Sequence, residues 1–128
     1  MVYSHREWTE AVERRELQRH QWREFFAEFD AVVCPVMPTP AFPHDHNPRR
    51  EQRHIDIDGI AYPYSDQFVW TALAILPGLP ATVIPAGRSP EGLPVGVQLI
   101  GPMFEDRTVL RLAELLEQVI GGFEPPRG

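Results

Sequence analysis

Fourteen prolines punctuate this 128-residue chain, and they crowd most densely between residues 35 and 94. Each fixes its own φ and lacks an amide donor, so regular elements are confined to the stretches between them. Residues 4–29 read as one long helix. Ser4 followed by Glu7 is a capping-box pattern. Trp8, Ala11, Val12, Trp22, Phe25, Phe26 and Phe29 share one face at helical spacing, interrupted by Arg15 and Arg19, whose stems are expected to cover apolar surface while their heads reach water. On the opposite face Glu10 is expected to pair with Arg14.

Ala31-Val32-Val33-Cys34 is a short apolar run that suits a strand buried on both faces. Pro35, Pro38, Pro40 and Pro43 then force an extended segment. Residues 44–60 are polar and charged, with Asp58-Gly59 as a turn signal. Residues 35–62 are therefore read as one long proline-rich loop, a length that is usually functional or mobile. Tyr64 to Leu76 reads as a buried helix capped by Ser65, leading into Pro77-Gly78-Leu79-Pro80. Ala81–Ala86 and Pro94–Ile100 read as strands joined by the Gly87–Gly92 turn, an antiparallel hairpin. A last helix runs from Asp106, the expected cap, to Ile120, with Val109, Leu112, Ala113, Leu116, Val119 and Ile120 on its apolar face and Gly121-Gly122 ending it.

One compact domain, residues 1–128, is the expectation at this length. The charge is 12 basic minus 18 acidic residues, net −6, which argues against nucleic acid or an anionic membrane surface as partner. No apolar run reaches the ~18 residues of a spanning helix, and no signal peptide is visible. A single cysteine, Cys34, makes no internal disulfide, which points to a cytoplasmic location. Every basic residue apart from the histidines is arginine. A mechanism that needs a lysine base or Schiff base is thus closed to this chain alone.

His44, His46 and His54 are the metal suspects, but Pro43 and Pro48 bracket the first two and break the strand that would hold them as a pair. A solvated loop is the favoured reading, with a metal-binding module kept as an alternative. Cys34 lies in an apolar run with nothing nearby to lower its pKa, so an inert buried thiol is favoured over a nucleophile. Only Ser4, Ser65 and Ser89 are available as serines, and none sits in a nucleophile elbow. From its residues alone the chain holds no complete catalytic constellation; it reads as a piece of a larger α/β core.

A more specific pattern is Gly78-Leu79-Pro80-Ala81-Thr82-Val83-Ile84-Pro85-Ala86-Gly87, followed by Gly92-Leu93-Pro94-Val95-Gly96-Val97-Gln98-Leu99-Ile100-Gly101-Pro102 and the helix Val109–Glu117. It resembles the C-terminal part of amidase-signature enzymes, which are serine amidohydrolases. Asp30 to Ala41 looks like the strand–proline segment of the same family, and the resemblance covers residues 5–126. It implies an α/β fold: a partial sheet with an antiparallel hairpin flanked by helices, from the C-terminal portion of the amidase-signature α/β/α core. Gly78 and Gly92 would permit the tight turns into the strands, and Gly96 would leave room for close approach.

The family mechanism uses a lysine base, a bridging serine and a nucleophilic serine, all N-terminal to the part matched here. No catalytic residue carries over. What the resemblance does imply is part of the acyl pocket, in the segment before Gly78: Phe68, Trp70, Thr71 and Ala74, with Val69 and Leu73 beside them. No cofactor and no metal are implied. The expected partner is the N-terminal catalytic portion of an amidase, with the small amide substrate bound only in that full-length context. Self-association of the chain is expected from the apolar surface left uncovered. The alternative is a stand-alone, non-catalytic interaction module of amidase-like fold.

Overall fold

The computed structural model describes residues 2–125, in which three helices flank a three-stranded sheet and a separate hairpin. Helix α1, His5–Phe25, is followed by strand β1, Val32–Pro35. A 3₁₀ turn at Arg50–Gln52 leads into β2, His54–Ile57, and β3, Ile60–Pro63. A 3₁₀ segment at Tyr64–Phe68 precedes the single helical turn α2, Ala72–Ile75. Strands β4, Ala81–Arg88, and β5, Pro94–Ile100, precede α3, Asp106–Ile120.

The main sheet has the order β1-β5-β4, antiparallel throughout. β5 is central, and its alternation decides the two faces of the molecule. Leu99 stands beside Val33 and Thr82 in register, and Ile100 beside Val32 and Ala81. On the Leu99 side α3 packs, joining Ile84, Leu99 and Ala113 with the partly buried Val97, Leu112 and Leu116. On the Ile100 side lie Cys34, Ala74, Leu79 and Ile100, covered by Trp22, Phe26, Trp70, Leu73 and Met103. The partial sheet with an antiparallel hairpin and flanking helices is the architecture expected from the sequence. β4 is an edge strand, which explains how it accommodates Pro85, and its register slips between Pro85 and Gly87. Both Gly-Leu-Pro glycines, Gly78 and Gly92, have the positive φ (79° and 84°) that their turns require.

The capping box forms: the Ser4 amide donates to Glu7 Oε2 (2.8 Å), while Ser4 Oγ accepts from the Glu7 amide (3.3 Å). The helix ends at Phe25, short of residue 29, and passes into a turn whose Phe29 amide still donates to the Phe25 carbonyl (3.2 Å). Phe29 thereby stacks on Phe25, 4.7 Å between centroids. Glu10 pairs with Arg6 (3.0 Å) and not with Arg14.

Four further expectations are corrected. The 35–62 segment is not loop throughout: β2 and β3 form a hairpin across its end, with Ile57 opposite Ile60 and Asp58-Gly59 as its two-residue turn. The Asp56 carboxylate accepts from the Gly59 amide (3.0 Å), which lets the polar sequence hold a tight reversal. The 64–76 segment is not one helix. Gln67 Nε2 takes the Tyr64 carbonyl (2.8 Å) and Thr71 Oγ1 takes the Phe68 carbonyl (3.1 Å), acceptors that a continuous helix would give to its own amides. Ser65 does not cap; its hydroxyl donates to Asp66 (3.3 Å). Finally, Glu105 and not Asp106 precedes α3, and its carboxylate accepts from Thr108 Oγ1 (2.9 Å).

Candidate functional site

The segment from Tyr64 to Pro77 crosses the Ile100 face of the sheet. Its four candidate wall residues separate into two kinds. Ala74 is buried in the core with Cys34, Leu79 and Ile100, and Trp70 packs against that cluster half-buried. Phe68 is 45% exposed, and Thr71 is half-buried with its hydroxyl turned back on the Phe68 carbonyl. The segment is thus anchored by Trp70 and Ala74 and offers Phe68 and Thr71 outward. None of Phe68 to Ala74 is titratable. Such a surface can shape a pocket and exclude water; its one hydroxyl, Thr71 Oγ1, is turned to the Phe68 carbonyl, and no residue of 68–74 can serve as its general base.

A groove of about 300 Å³ lies further along the sheet, between the proline segment Val36–Phe42 and Pro94, Val95 and Gly96. Gly96 packs closely on the next strand. A Cβ there would stand 3.0 Å from Val83 Cγ1 and 3.2 Å from the Ile84 carbonyl oxygen, so a larger residue would push into the next strand.

The other candidates stay apart from this region. The His44 and His46 rings meet edge to face, 5.7 Å between centroids, while His54 opens β2. Among the described residues no three His, Cys, Asp or Glu side chains converge in a way that could hold a metal ion. Cys34 is buried, and its sulfur accepts a long hydrogen bond from Gln98 Nε2 (3.4 Å). Ser89 serves its turn, where its hydroxyl oxygen accepts from the Leu93 amide (3.3 Å) and its own amide donates to the Leu93 carbonyl (2.8 Å). Among the described residues no helix is long and apolar enough to cross a membrane.

A comparison with protein families matches residues 1–110 to the family described as Amidase. The chain belongs to the amidase family. Relatives and solved amidase structures agree. The A subunit of glutamyl-tRNA(Gln) amidotransferase from Exiguobacterium sp. strain AT1b is 37% identical over 117 residues, 91% of this chain and 22% of the relative. Its counterpart from Bartonella bacilliformis is 37% identical over 110 residues, 85% of this chain and 21% of the relative. A crystal structure of an amidase superimposes with a TM-score of 0.78 at 28% identity, covering 93% of this chain and 26% of that one. The crystal structure of the glutamyl-tRNA(Gln) amidotransferase A subunit from Thermotoga maritima gives 0.71 at 31% identity, covering 94% and 25%. This amidase chain therefore spans roughly a fifth of the length of the curated relatives it matches.

Two residues of the amidase fold escaped the sequence reading. Arg19 does not send its head to water: its Nε donates to the Pro77 carbonyl (2.7 Å) and its Nη1 reaches Glu16 (2.7 Å), so it clamps α1 to the entry of the first Gly-Leu-Pro turn. Gln98 is 4% exposed and reaches the 64–77 segment from below. The only sequence signal for Gln98 is a polar residue inside an apolar strand; for Arg19 it is a cation within an aromatic stripe.

Proposed function

We propose that this chain is the C-terminal segment of an amidase that hydrolyses a carboxamide through an acyl-serine intermediate. The segment contributes sheet strands, packing helices and part of the acyl pocket. The lysine and serines that activate the nucleophile belong to the N-terminal catalytic portion, which is its principal partner. The observation that carries this reading is the conjunction of a family match along most of the chain with a sequence that has no lysine at all. In this reading Phe68 and Thr71 meet the acyl side of the substrate, while Trp70 and Ala74 set their height above the sheet. An unpaired, buried Cys34 fits a reducing cytoplasm.

The test is activity by complementation. The purified chain alone hydrolyses no simple amide. Joined to the catalytic portion of an amidase relative, in place of that enzyme's own matching segment, it restores the turnover that the truncated relative lacks. Turnover by the isolated chain that is abolished by a substitution within it, or a folded chimaera that stays inactive, overturns the proposal.

Alone, the chain is expected to self-associate. Trp8, Ala11 and Val12 of α1, with Ile75 and Leu76, form the apolar part of a groove of about 740 Å³ that Glu7, Glu10, Arg14, Arg15 and Gln18 also line; Trp8, Ile75 and Leu76 are 59, 71 and 54% exposed. Apolar surface of this kind finds a partner. Light scattering at tens of micromolar is expected to show a dimer or larger species; a strict monomer that binds no hydrophobic dye would remove this expectation.

A further inference from the structure

Two polar side chains, Gln67 and Gln98, are buried among the described residues, and both hold carbonyls of the Tyr64–Pro77 segment. They do different work. Gln67 closes a bond three residues away, to the Tyr64 carbonyl. Thr71 does the same to the Phe68 carbonyl, also three residues away. The Trp70 carbonyl also accepts from the Leu73 amide (3.2 Å). These local bonds fix the shape of the segment and leave its height above the sheet undetermined.

Two long-range ties hold the segment: Arg19 from α1 at the Pro77 carbonyl, and Gln98 from the sheet at the Trp70 carbonyl. Gln98 stands at the middle of the central strand, beside Cys34 on β1 and Val83 on β4. Its Nε2 donates to the Trp70 carbonyl at 3.3 Å, across 28 residues of sequence, and shares that donor with Cys34 Sγ at 3.4 Å. The next residue on the same face, Ile100, is completely buried in the apolar cluster. A side-chain amide in that layer is costly unless its hydrogen bonds are made, and of the two its Nε2 makes, to Cys34 Sγ and to the Trp70 carbonyl, the second fastens Trp70. The point fastened lies between Phe68 and Thr71, the two wall residues that face outward.

We infer that Gln98 is a positioning residue: it pins the Trp70 carbonyl to the central strand and thereby sets the acyl-side wall formed by Phe68 and Thr71. The functional half of this inference rests on the pocket reading proposed above. Loosening the wall weakens substrate binding while leaving the chemical step on the catalytic portion untouched, so KM moves and kcat does not.

The experiment has two arms. In the first, Gln98→Met and Gln98→Asn are made in the full 128-residue chain, and amide hydrogen exchange is followed by NMR. Methionine keeps the length and removes the donor; asparagine keeps the amide and shortens its reach. Expected is about tenfold faster exchange at residues 70–74, the factor set by one ordinary net hydrogen bond, with Ile84 and Leu99 unchanged. General destabilisation would instead move both groups together. Unchanged exchange at 70–74, or equal acceleration everywhere, overturns the positioning role.

In the second arm the same variants are placed in the complemented enzyme. Expected is a several-fold rise in KM for amides with a bulky acyl group, little change for acetamide, and an unchanged kcat. If the exchange effect appears and KM stays fixed for every acyl group, Gln98 still positions the segment, and the pocket-wall reading of Phe68 and Thr71 falls.

Discussion

Helices α1 and α3 both carry apolar residues at helical spacing, yet they meet the sheet in opposite ways. α3 has 15 residues, buries Val109 and Ala113, and lays Leu112 and Leu116 on the Leu99 face. α1 has 21 residues and buries none of them. Only its C-terminal end, through Trp22 and Phe26, reaches the core. Toward its N-terminus Trp8, Ala11 and Val12 border an open groove. The spacing of apolar residues thus states that a face will be covered without saying by what. On α3 the cover is this chain's own sheet. On α1 the Trp8 side of the groove is left uncovered among the described residues.

Breaking the covered side should have the largest effect. Leu99 is completely buried between β1, β4 and α3. Leu99→Ala is expected to cost about 2–5 kcal/mol, from lost transfer energy and the cavity left behind. Leu17→Ala, at an exposed position of α1, should stay within about 0.5 kcal/mol. Chemical denaturation of both variants measures the contrast. Equal losses would mean that α1 is as much a part of this chain's core as α3.

A smaller effect should follow from releasing the polar clamp of α1. The Pro77 carbonyl, on a fully buried residue, accepts from Arg19 Nε at 2.7 Å. Arg19→Met keeps much of the stem and removes the donor. A loss of roughly 1.5–3 kcal/mol is expected, the range for hydrogen bonds to charged groups. Exchange of α1 amides should rise more than that of β4 and β5. If they rise together, α1 and the sheet unfold as one unit and the contrast between the two helices is weaker than their burial suggests.

How much could be read from the sequence follows the same division. β4, β5 and α3 were legible because their periods of two and 3.6 are realised by contacts within this chain, such as Thr82 and Val33 flanking Leu99. The β2–β3 hairpin was hidden because its strands are four residues long, and Ile55 is the sole residue in them that is fully buried. Asp56 and Asp58 look like loop residues until the Asp56 carboxylate is seen holding the turn. In the candidate site, the apolar character of Phe68 to Ala74 was plain, while its division into anchored and outward residues was not. That division goes with contacts from distant residues, the core cluster around Ala74 and the bond from Gln98, 28 residues further along the chain from Trp70, which no local pattern encodes.

The smallest expected effect lies at the N-terminus of α1, where stability is set by local chemistry alone. The Ser4 amide (2.8 Å) and hydroxyl (2.7 Å) both donate to Glu7 Oε2. The backbone bond, followed by the hydroxyl bond, holds the Glu7 carboxyl below the usual glutamate range. Because the folded value is the lower one, the ionised carboxylate favours the capped helix. That contribution is complete above the ordinary glutamate pKa and fades as pH falls through the lowered folded value. Glu7 is fully exposed, so water screens the interaction and the effect stays local. Acidification should therefore fray residues 5–8 first, seen as amide protection lost there, relative to the intrinsic exchange rate at each pH, while the protection of α3 is unchanged. Glu7→Gln should remove this pH dependence, since its amide oxygen still accepts but carries no titratable charge. If the first turn of α1 kept its protection through that pH range, the capping box would contribute nothing to the helix, and the partner that covers the groove would be what orders its N-terminal half.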